Sequence, residues 1–216
     1  LSHLYTVASN EWEWLDHHPV RRVRRPKQPQ GRVRFLTKDE LSALLSACQR
    51  SNQPHLYPIV VLAVSTGMRK GEILGLRWQD IDFCRYRITL DRTKNGERRS
   101  EPLVGRARAV ISDHAKVRRG DTPLLFPSTR KPGVPVDFGK SWTRAVETVA
   151  LEDFRFHDLR HTCASYLAMS GATLAEISEV LGHKTLAMVK RYAHLSDSHT
   201  TKVVERMNGT IFGPVP

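Results

Sequence analysis

The sequence predicts a mixed α+β fold that is mainly α-helical and contains a small antiparallel β-sheet. Three observations support this prediction. Apolar residues recur at helical spacing over most of the 216-residue chain. Capping boxes that begin at Thr37 and Thr173 mark the starts of two helices. One alternating, β-rich stretch is followed by Asn95-Gly96, a pair typical of a hairpin turn because both residues tolerate positive φ.

The N-terminal part predicts a helix followed by a basic linker. Apolar residues in the range 1–15 have helical spacing, and Pro19 is predicted to end that helix. Seven basic residues lie between Arg21 and Arg34 among prolines and a glycine, which is typical of an extended linker. The predicted segments are therefore 1–19, a basic linker at 20–34, and a main domain at 35–216.

The main domain is predicted to consist of helices interrupted by one hairpin. Gly67, Gly171 and Gly182 each follow an apolar helical pattern and are predicted to end it. The last helix is predicted to end at Asn208-Gly209. In order, we expect helices after Thr37 and at 57–66 and 72–76, strands at 85–91 and 98–104, and helices at 104–117, 138–149, 159–170, 173–182, 186–192 and 199–207.

The charge of the chain points to a polyanionic partner. The sequence has 34 Lys and Arg against 22 Asp and Glu, a net charge of +12 and a pI of about 10.1. Such a field concentrates polyanions near the surface, so nucleic acid is the expected partner. Charge alone is equally compatible with a basic protein that binds no nucleic acid.

Other compositional features predict a cytoplasmic location. No run of apolar residues is long enough to span a membrane, and the first residues do not resemble a signal peptide. Three scattered cysteines without a CxxC pair predict reduced thiols. Because the sequence begins with Leu1 rather than Met, we expect it to be part of a longer protein.

Two motifs contain a candidate functional cation. In TGMRKGE, Arg69 lies between glycines at the junction of two predicted helices, where a tight turn lets its guanidinium point into a cleft. In TKNG, Lys94 lies at the tip of the predicted hairpin, where its ammonium can reach into a site. Taken alone, each residue is more typical of a solvated surface cation.

Two further motifs combine histidines with Arg160 and Tyr192. In HDLRH, His157 and Arg160 lie three residues apart at a predicted helix start and therefore share a face. His183 follows a predicted helix end, and Tyr192 comes nine residues later, directly after two cations. Neighbouring cations favour phenolate over phenol, so we expect them to lower the pKa of Tyr192.

The HDLRH motif also permits a zinc interpretation. His157 and His161 are four residues apart with an acidic residue after the first, similar to the HExxH motif. The motif lacks the glutamate base, and Arg160 would crowd a cation. We therefore predict no metal site.

Taken together and in order, these motifs resemble those of the tyrosine recombinases, the phage-integrase family of site-specific DNA recombinases. The resemblance covers nearly the whole chain and departs at Val189, where members often carry threonine. It implies the tyrosine-recombinase catalytic-domain fold. The motifs that carry it are TGMRKGE, LGLRWQDID, the TKN hairpin, LLFP, FRFHDLRHTCAS and LGHKTLAMVKRYAH. The catalytic residues it implies are Arg69, Lys94, His157, Arg160, His183 and Tyr192.

The implied chemistry is transesterification through a 3′-phosphotyrosine at Tyr192. Arg69 and Arg160 offer planar cations that match the non-bridging phosphate oxygens, and His183 would add a hydrogen bond. Because an unperturbed tyrosine has a pKa of about 10, Tyr192 needs a base, for which His157 is the candidate. Lys94 is the candidate acid for the leaving 5′-oxygen.

Three other residues near the motifs are predicted to take no direct part in the chemistry. Glu72 is predicted to orient neighbouring catalytic side chains, although an exposed helix acid is nearly as compatible with its position. His161 and His194 are predicted to be packing or surface residues.

Alternative functions and the expected partners complete the prediction. A type IB topoisomerase-like strand transferase uses similar chemistry, and a non-catalytic DNA-binding module would explain the charge but not the residue set. The resemblance implies double-stranded DNA as partner and a homo-tetramer on DNA that is monomeric when free. It implies no cofactor, no membrane and no small-molecule substrate. It also implies that residues 1–19 are the end of an otherwise missing core-binding domain.

Overall fold

The computed structural model describes residues 1–24, 34–90, 98–183 and 185–213, and of these it describes 196–200 and 202 by their backbone alone. Lys94, the turn at Asn95-Gly96 and much of the predicted linker lie outside the described residues. The chain divides into two units, Leu1–Arg32 and Val33–Pro216. Within the described residues, no helix is long and apolar enough to cross a membrane.

The described α-helices confirm the mainly helical prediction. They are α1 (Ser2–Asn10), α2 (Lys38–Gln49), α3 (Leu56–Thr66), α4 (Lys70–Gly75), α5 (Gly105–Ala115), α6 (Gly139–Thr148), α7 (Asp158–Met169), α8 (Leu174–Leu181) and α9 (Asp197–Phe212). Short 3-10 helices lie at Pro19–Arg22, Trp78–Asp80, Leu186–Met188 and Lys190–Ser196.

The first unit differs from its prediction in two places. The predicted helix over residues 1–15 ends at Asn10. It cannot continue to residue 15, because Glu13 has a φ of 54°, which a right-handed helix does not accommodate. Beyond the helix, the rings of Trp12 and Trp14 lie tilted against each other with centroids 4.6 Å apart. The start of the predicted extended linker instead forms a 3-10 turn at Pro19–Arg22, since the fixed φ of Pro19 suits a first helical position.

Helix α3 forms the centre of the second unit. It packs against α2, α5 and α7, and eight of its eleven residues are buried. This explains why its sequence is apolar on all faces rather than along one stripe. The capping box at Thr37 is confirmed, and α2 turns Leu44 and Cys48 into the same core.

Glycines end α3 and α8 as predicted. Gly67 and Gly182 both adopt left-handed conformations, with φ of 63° and 60°. A Cβ at Gly67 would also lie 2.5 Å from the Leu181 side chain and 3.3 Å from Cys163 Sγ. Glycine is therefore required there both by conformation and by close packing.

The sheet is antiparallel, with strand order β1-β2-β3. It consists of β1 (Ile81–Asp82), β2 (Arg87–Leu90) and β3 (Arg99–Pro102), so both predicted strands are shorter and β1 was not predicted. Strand β1 has only two residues, too few for a visible alternation. Ile88 pairs with Glu101, and Leu90 pairs with Arg99.

The C-terminal segment also departs from its prediction. The helix predicted at 186–192 is replaced by two 3-10 helices, and α9 extends to Phe212 instead of ending at Asn208-Gly209. Asn208 is accommodated because its side-chain amide donates to the Val204 carbonyl, and the left-handed residue is Gly213, with a φ of 79°.

Candidate active site

Arg160 joins the two segments that carry Arg69 and His183. It lies in the first turn of α7 and is only 4% exposed. Its Nη1 donates to the carbonyl of Gly67 at 2.7 Å, and its Nη2 donates to the carbonyl of Leu181 at 2.5 Å. These carbonyls belong to residues two positions before Arg69 and two before His183. The buried guanidinium of Arg160 therefore holds the segments that carry Arg69 and His183 close to each other and to Arg160 itself.

Arg69 is held at the start of α4 by Glu72. Its Nη1 donates to Glu72 Oε1 at 2.7 Å, and its backbone N–H donates to Oε2 of the same carboxylate at 2.8 Å. Burial opposes ionisation of Glu72, but the hydrogen bonds from Arg69 lower its pKa overall. The side chain of Arg69 is 26% exposed, so solvent still reaches it. Glu72 orients Arg69 in this geometry, in agreement with its predicted role.

Tyr192 is buried rather than presented to solvent. It is 2% exposed, and its ring belongs to an apolar cluster between α7, α8 and the segment Lys190–Ser196. Burial raises the pKa of Tyr192 to about 12, more than the cations Arg191 and Arg160 lower it. The predicted lowering is therefore wrong in this state, because loss of solvation outweighs the neighbouring charges. The cluster also contains Ala164, Ala168, Ile177, Leu181 and Val189.

The hydroxyl of Tyr192 forms a short hydrogen bond with Nδ1 of His161. Burial lowers the pKa of His161 to about 4, so its imidazole is neutral near pH 7 and Nδ1 can accept the hydrogen bond that the hydroxyl donates. The prediction that His161 is a packing or surface residue therefore missed its contact with the nucleophile candidate. The sequence did contain a signal for this contact, because His161 directly follows Arg160 at the start of the same helix, α7. His194 is exposed, as predicted.

The remaining histidines lie at two edges of the same region. His157 precedes α7, and its ring meets that of His161 edge-on with 5.4 Å between centroids. Burial, followed by the charge of Arg160, lowers the pKa of His157. His183 follows the left-handed Gly182, and burial lowers its pKa to about 4. Both can take part as neutral imidazoles near pH 7.

The site combines permanent cations with neutral donors and acceptors. Burial, with the nearby Arg69 and Arg99, lowers the pKa of Arg160 to about 10, so its guanidinium remains charged near pH 7. Across the part of the chain that the structure describes, no three His, Cys, Asp or Glu side chains converge as a potential metal-ligand group. The arrangement suits a substrate that is anionic and gains further charge during reaction, such as a phosphodiester.

Comparison with known proteins identifies the family. The sequence model described as "Phage integrase family" matches residues 34–199. The chain belongs to the phage integrase family. The shufflon-specific DNA recombinase of Escherichia coli is 38% identical over 196 residues, which cover 90% of this chain and 49% of that protein. The chain spans about half the length of the curated relatives it matches.

Solved structures of the family share the fold. The catalytic domain of bacteriophage HP1 integrase aligns with a TM-score of 0.63 and 28% identity, covering 84% of this chain and 98% of that one. A lambda integrase dimer bound to a COC′ core site aligns with a TM-score of 0.66 and 23% identity, covering 87% and 70%. The predicted tyrosine-recombinase catalytic-domain fold is confirmed.

Proposed function

We propose that this chain is the catalytic part of a site-specific DNA recombinase of the phage-integrase type. It cleaves and rejoins DNA strands through a 3′-phosphotyrosine at Tyr192 and needs neither metal nor ATP. The observation that carries the proposal is the bridge formed by Arg160, which places the segments of Arg69 and His183 at one location beside the Tyr192 pocket.

The two arginines stabilise charge that develops on the phosphate. As phosphorus becomes pentacoordinate, its non-bridging oxygens gain negative charge. Arg69, oriented by Glu72 and partly open to solvent, and Arg160, fixed by two carbonyls, offer rigid donors to those oxygens. His183 adds a hydrogen bond to the same phosphate.

Strand cleavage is a transesterification in which no cofactor is consumed. The Tyr192 oxygen forms a bond to phosphorus while the bond from phosphorus to the 5′-oxygen breaks. His157 takes the phenolic proton, and Lys94 gives a proton to the leaving 5′-oxygen. Religation runs the same steps in reverse. It needs no energy source, because the phosphotyrosine link replaces the broken phosphodiester bond by another one.

Tyr192 must leave its pocket before it can react. A hydroxyl on a residue that is 2% exposed and bonded to His161 cannot approach a phosphate in duplex DNA. We therefore regard the buried position as the resting state of the free chain. Binding of DNA, or assembly on DNA, moves the segment Lys190–Ser196 so that the hydroxyl reaches the phosphate.

Double-stranded DNA is the proposed substrate and the site of assembly. The net charge of +12 favours a polyanion, and the lambda integrase that shares this fold is bound to a DNA core site in its structure. We propose a monomer when free and a homo-tetramer on DNA. The exposed apolar residues of α9 support this, since a partner would cover them: Val203, Val204, Met207, Ile211 and Phe212. Because the proposed substrate is phage or bacterial DNA, we propose that the protein acts in the bacterial cytoplasm.

The segment assignment belongs to the same proposal. Residues 1–19 would be the end of a core-binding domain, 20–34 a basic linker, and 35–216 the catalytic domain with its tail. The division of the chain at Arg32 and Val33 supports a boundary in this region. A topoisomerase-like relaxation activity is less favoured because the relatives that match include a shufflon-specific DNA recombinase and a phage integrase.

Covalent trapping tests the proposal. The chain is incubated at low salt and with EDTA with a nicked suicide duplex that carries a candidate core site, and the product is separated under denaturing conditions. We expect an adduct, linked through a DNA 3′-phosphate, on the peptide that contains Tyr192. An adduct that requires zinc would support the metal interpretation of HDLRH instead, and binding without any adduct would support a non-catalytic module.

A further inference from the structure

Strand β3 turns two opposite charges into the interior. Residues two apart on a strand share a face, so Arg99 and Glu101 point the same way. The side chain of Arg99 is 10% exposed and that of Glu101 is 2% exposed. Arginine and glutamate are rarely buried to this extent unless they are paired. The pair therefore needs an explanation beyond the predicted strand pattern.

The buried charges continue the contact that holds Arg69. Arg99 Nε lies 2.7 Å from Glu101 Oε1, and Arg99 Nη2 donates to Glu72 Oε2 at 3.4 Å. The other oxygen of Glu72 accepts Arg69 Nη1 at 2.7 Å. The four side chains thus alternate in sign, from Arg69 through Glu72 and Arg99 to Glu101.

Arg99 also supports the corner that carries His183. The guanidinium lies directly against Gly182, where any added Cβ would collide with it and would lie 3.0 Å from Arg99 Cδ. Gly182 ends α8 in a left-handed conformation and precedes His183. Arg99 therefore touches both the residue that orients Arg69 and the turn that presents His183.

Stability alone does not account for this pair. A buried ion pair is often no more stabilising than two well-packed apolar side chains, because both charges lose their solvation. Burial raises the pKa of Glu101, and the charges of Arg99 and Arg87 oppose the rise without cancelling it, so pairing does not replace all of the lost solvation. The contacts of Arg99 with Glu72 and Gly182 explain the buried pair better.

We propose that Arg99 and Glu101 are positioning residues for the transesterification. Arg99 keeps the Glu72 carboxylate against Arg69 and packs against Gly182, the residue before His183, while Glu101 balances its charge. Arg99 differs from Arg160 in that its charge is paired with the carboxylates of Glu72 and Glu101, so we assign it a positioning role and no contact with the phosphate. The inference rests on the proposed strand transfer.

A double substitution separates positioning from folding. Arg99→Met with Glu101→Met removes both charges and keeps apolar volume, so we expect a thermal midpoint within about 5 °C of the wild type. The single-turnover cleavage rate at saturating suicide DNA should fall on the order of 10–100-fold, because Arg69 is less well placed. The half-saturating DNA concentration should change less than about twofold, since phosphate contacts at the surface remain. Arg85→Met, an exposed arginine before β2, is the matched control and should leave all three values unchanged.

A second measurement does not depend on cleavage. NMR of the guanidinium nitrogens reports rotation about the Nε–Cζ bond of Arg69, with the signal assigned by its loss in Arg69→Lys. We expect slow rotation in the wild type and rotation at least about tenfold faster in the double variant, since Glu72 no longer holds one orientation. Arg99→Lys, which keeps the charge balance but has no second donor arm, is measured in parallel and should give intermediate values.

The outcomes distinguish the two proposals. If the wild type forms no adduct, the proposed function fails and the NMR measurement alone decides the role of the pair. Wild-type rotation of Arg69 in the double variant would overturn the positioning role whatever the cleavage rate. A fall in rate that only matches a fall in folded fraction, with unchanged rotation, would also overturn it.

Discussion

Replacement of Arg160 by lysine should damage both stability and cleavage, by separable amounts. Arg160 donates to two buried carbonyls, of Gly67 and Leu181, from its two terminal nitrogens. A lysine has one ammonium and can satisfy one of them. The unsatisfied carbonyl should cost about 1–3 kcal/mol. For a chain of this size that lowers the thermal midpoint by roughly 2–12 °C.

The effect on cleavage should be larger than the effect on folding. Lysine keeps the charge but loses the planar fork, so we expect the single-turnover rate of adduct formation to fall about 10²–10³-fold, as for removal of one oxyanion donor. The rate is measured with the suicide duplex below the midpoint of the variant, where the chain is folded. Arg85→Lys serves as the exposed control. Wild-type cleavage by Arg160→Lys would show that charge alone suffices and would refute the geometric argument.

Further predictions address the acid, the tail and pH. Lys94→Ala should cleave slowly, and a 5′-bridging sulfur at the scissile position should restore its rate because a thiolate leaves without an acid; a mutant that stays slow would assign the acid role elsewhere. In the intact protein on DNA, deletion from Thr200 onward should impair recombination far more than binding, and unchanged strand exchange would exclude the tail from the mechanism. The free energy of unfolding should fall as the pH is lowered from about 6.5 to 4. Over this range several histidines take up a proton in the unfolded chain but stay neutral in the folded chain, where they are buried. The raised pKa of Glu101 has the opposite effect and offsets part of the loss of stability. A thermal midpoint that is higher at pH 5 than at pH 7 would contradict the assignment of buried, neutral histidines. The imidazoles responsible, whose pKa burial lowers to about 4, are His55, His161 and His183.

Local signals in the sequence were sufficient to predict much of the fold. The capping boxes at Thr37 and Thr173 and the left-handed ends at Gly67 and Gly182 depend on hydrogen bonds and dihedral angles within a few residues, and all four are confirmed. Asn208-Gly209 was misleading, because α9 continues through both residues to Phe212. Asparagine and glycine favour a helix end but do not impose one.

The site was harder to predict wherever burial decides the outcome. Sequence motifs indicated Arg69, Arg160 and Tyr192, but not that Tyr192 would be enclosed with His161 as its partner. The two cations before Tyr192 suggested a lowered pKa, yet desolvation reverses the sign, and desolvation depends on residues distant in sequence. The inward charges of β3 could not be inferred either, because which face of a short strand is buried depends on its register with β2.

The most direct test of the account compares Tyr192→Phe with Tyr166→Phe. Tyr166 lies on α7 and is not part of the proposed site, so its variant controls for loss of a hydroxyl. Each variant and the wild type are titrated with core-site DNA for binding and then incubated with the suicide duplex. We predict equal binding by all three, wild-type adduct for Tyr166→Phe, and no adduct for Tyr192→Phe. Adduct formation by Tyr192→Phe at the wild-type rate would contradict the assignment of Tyr192 as the nucleophile.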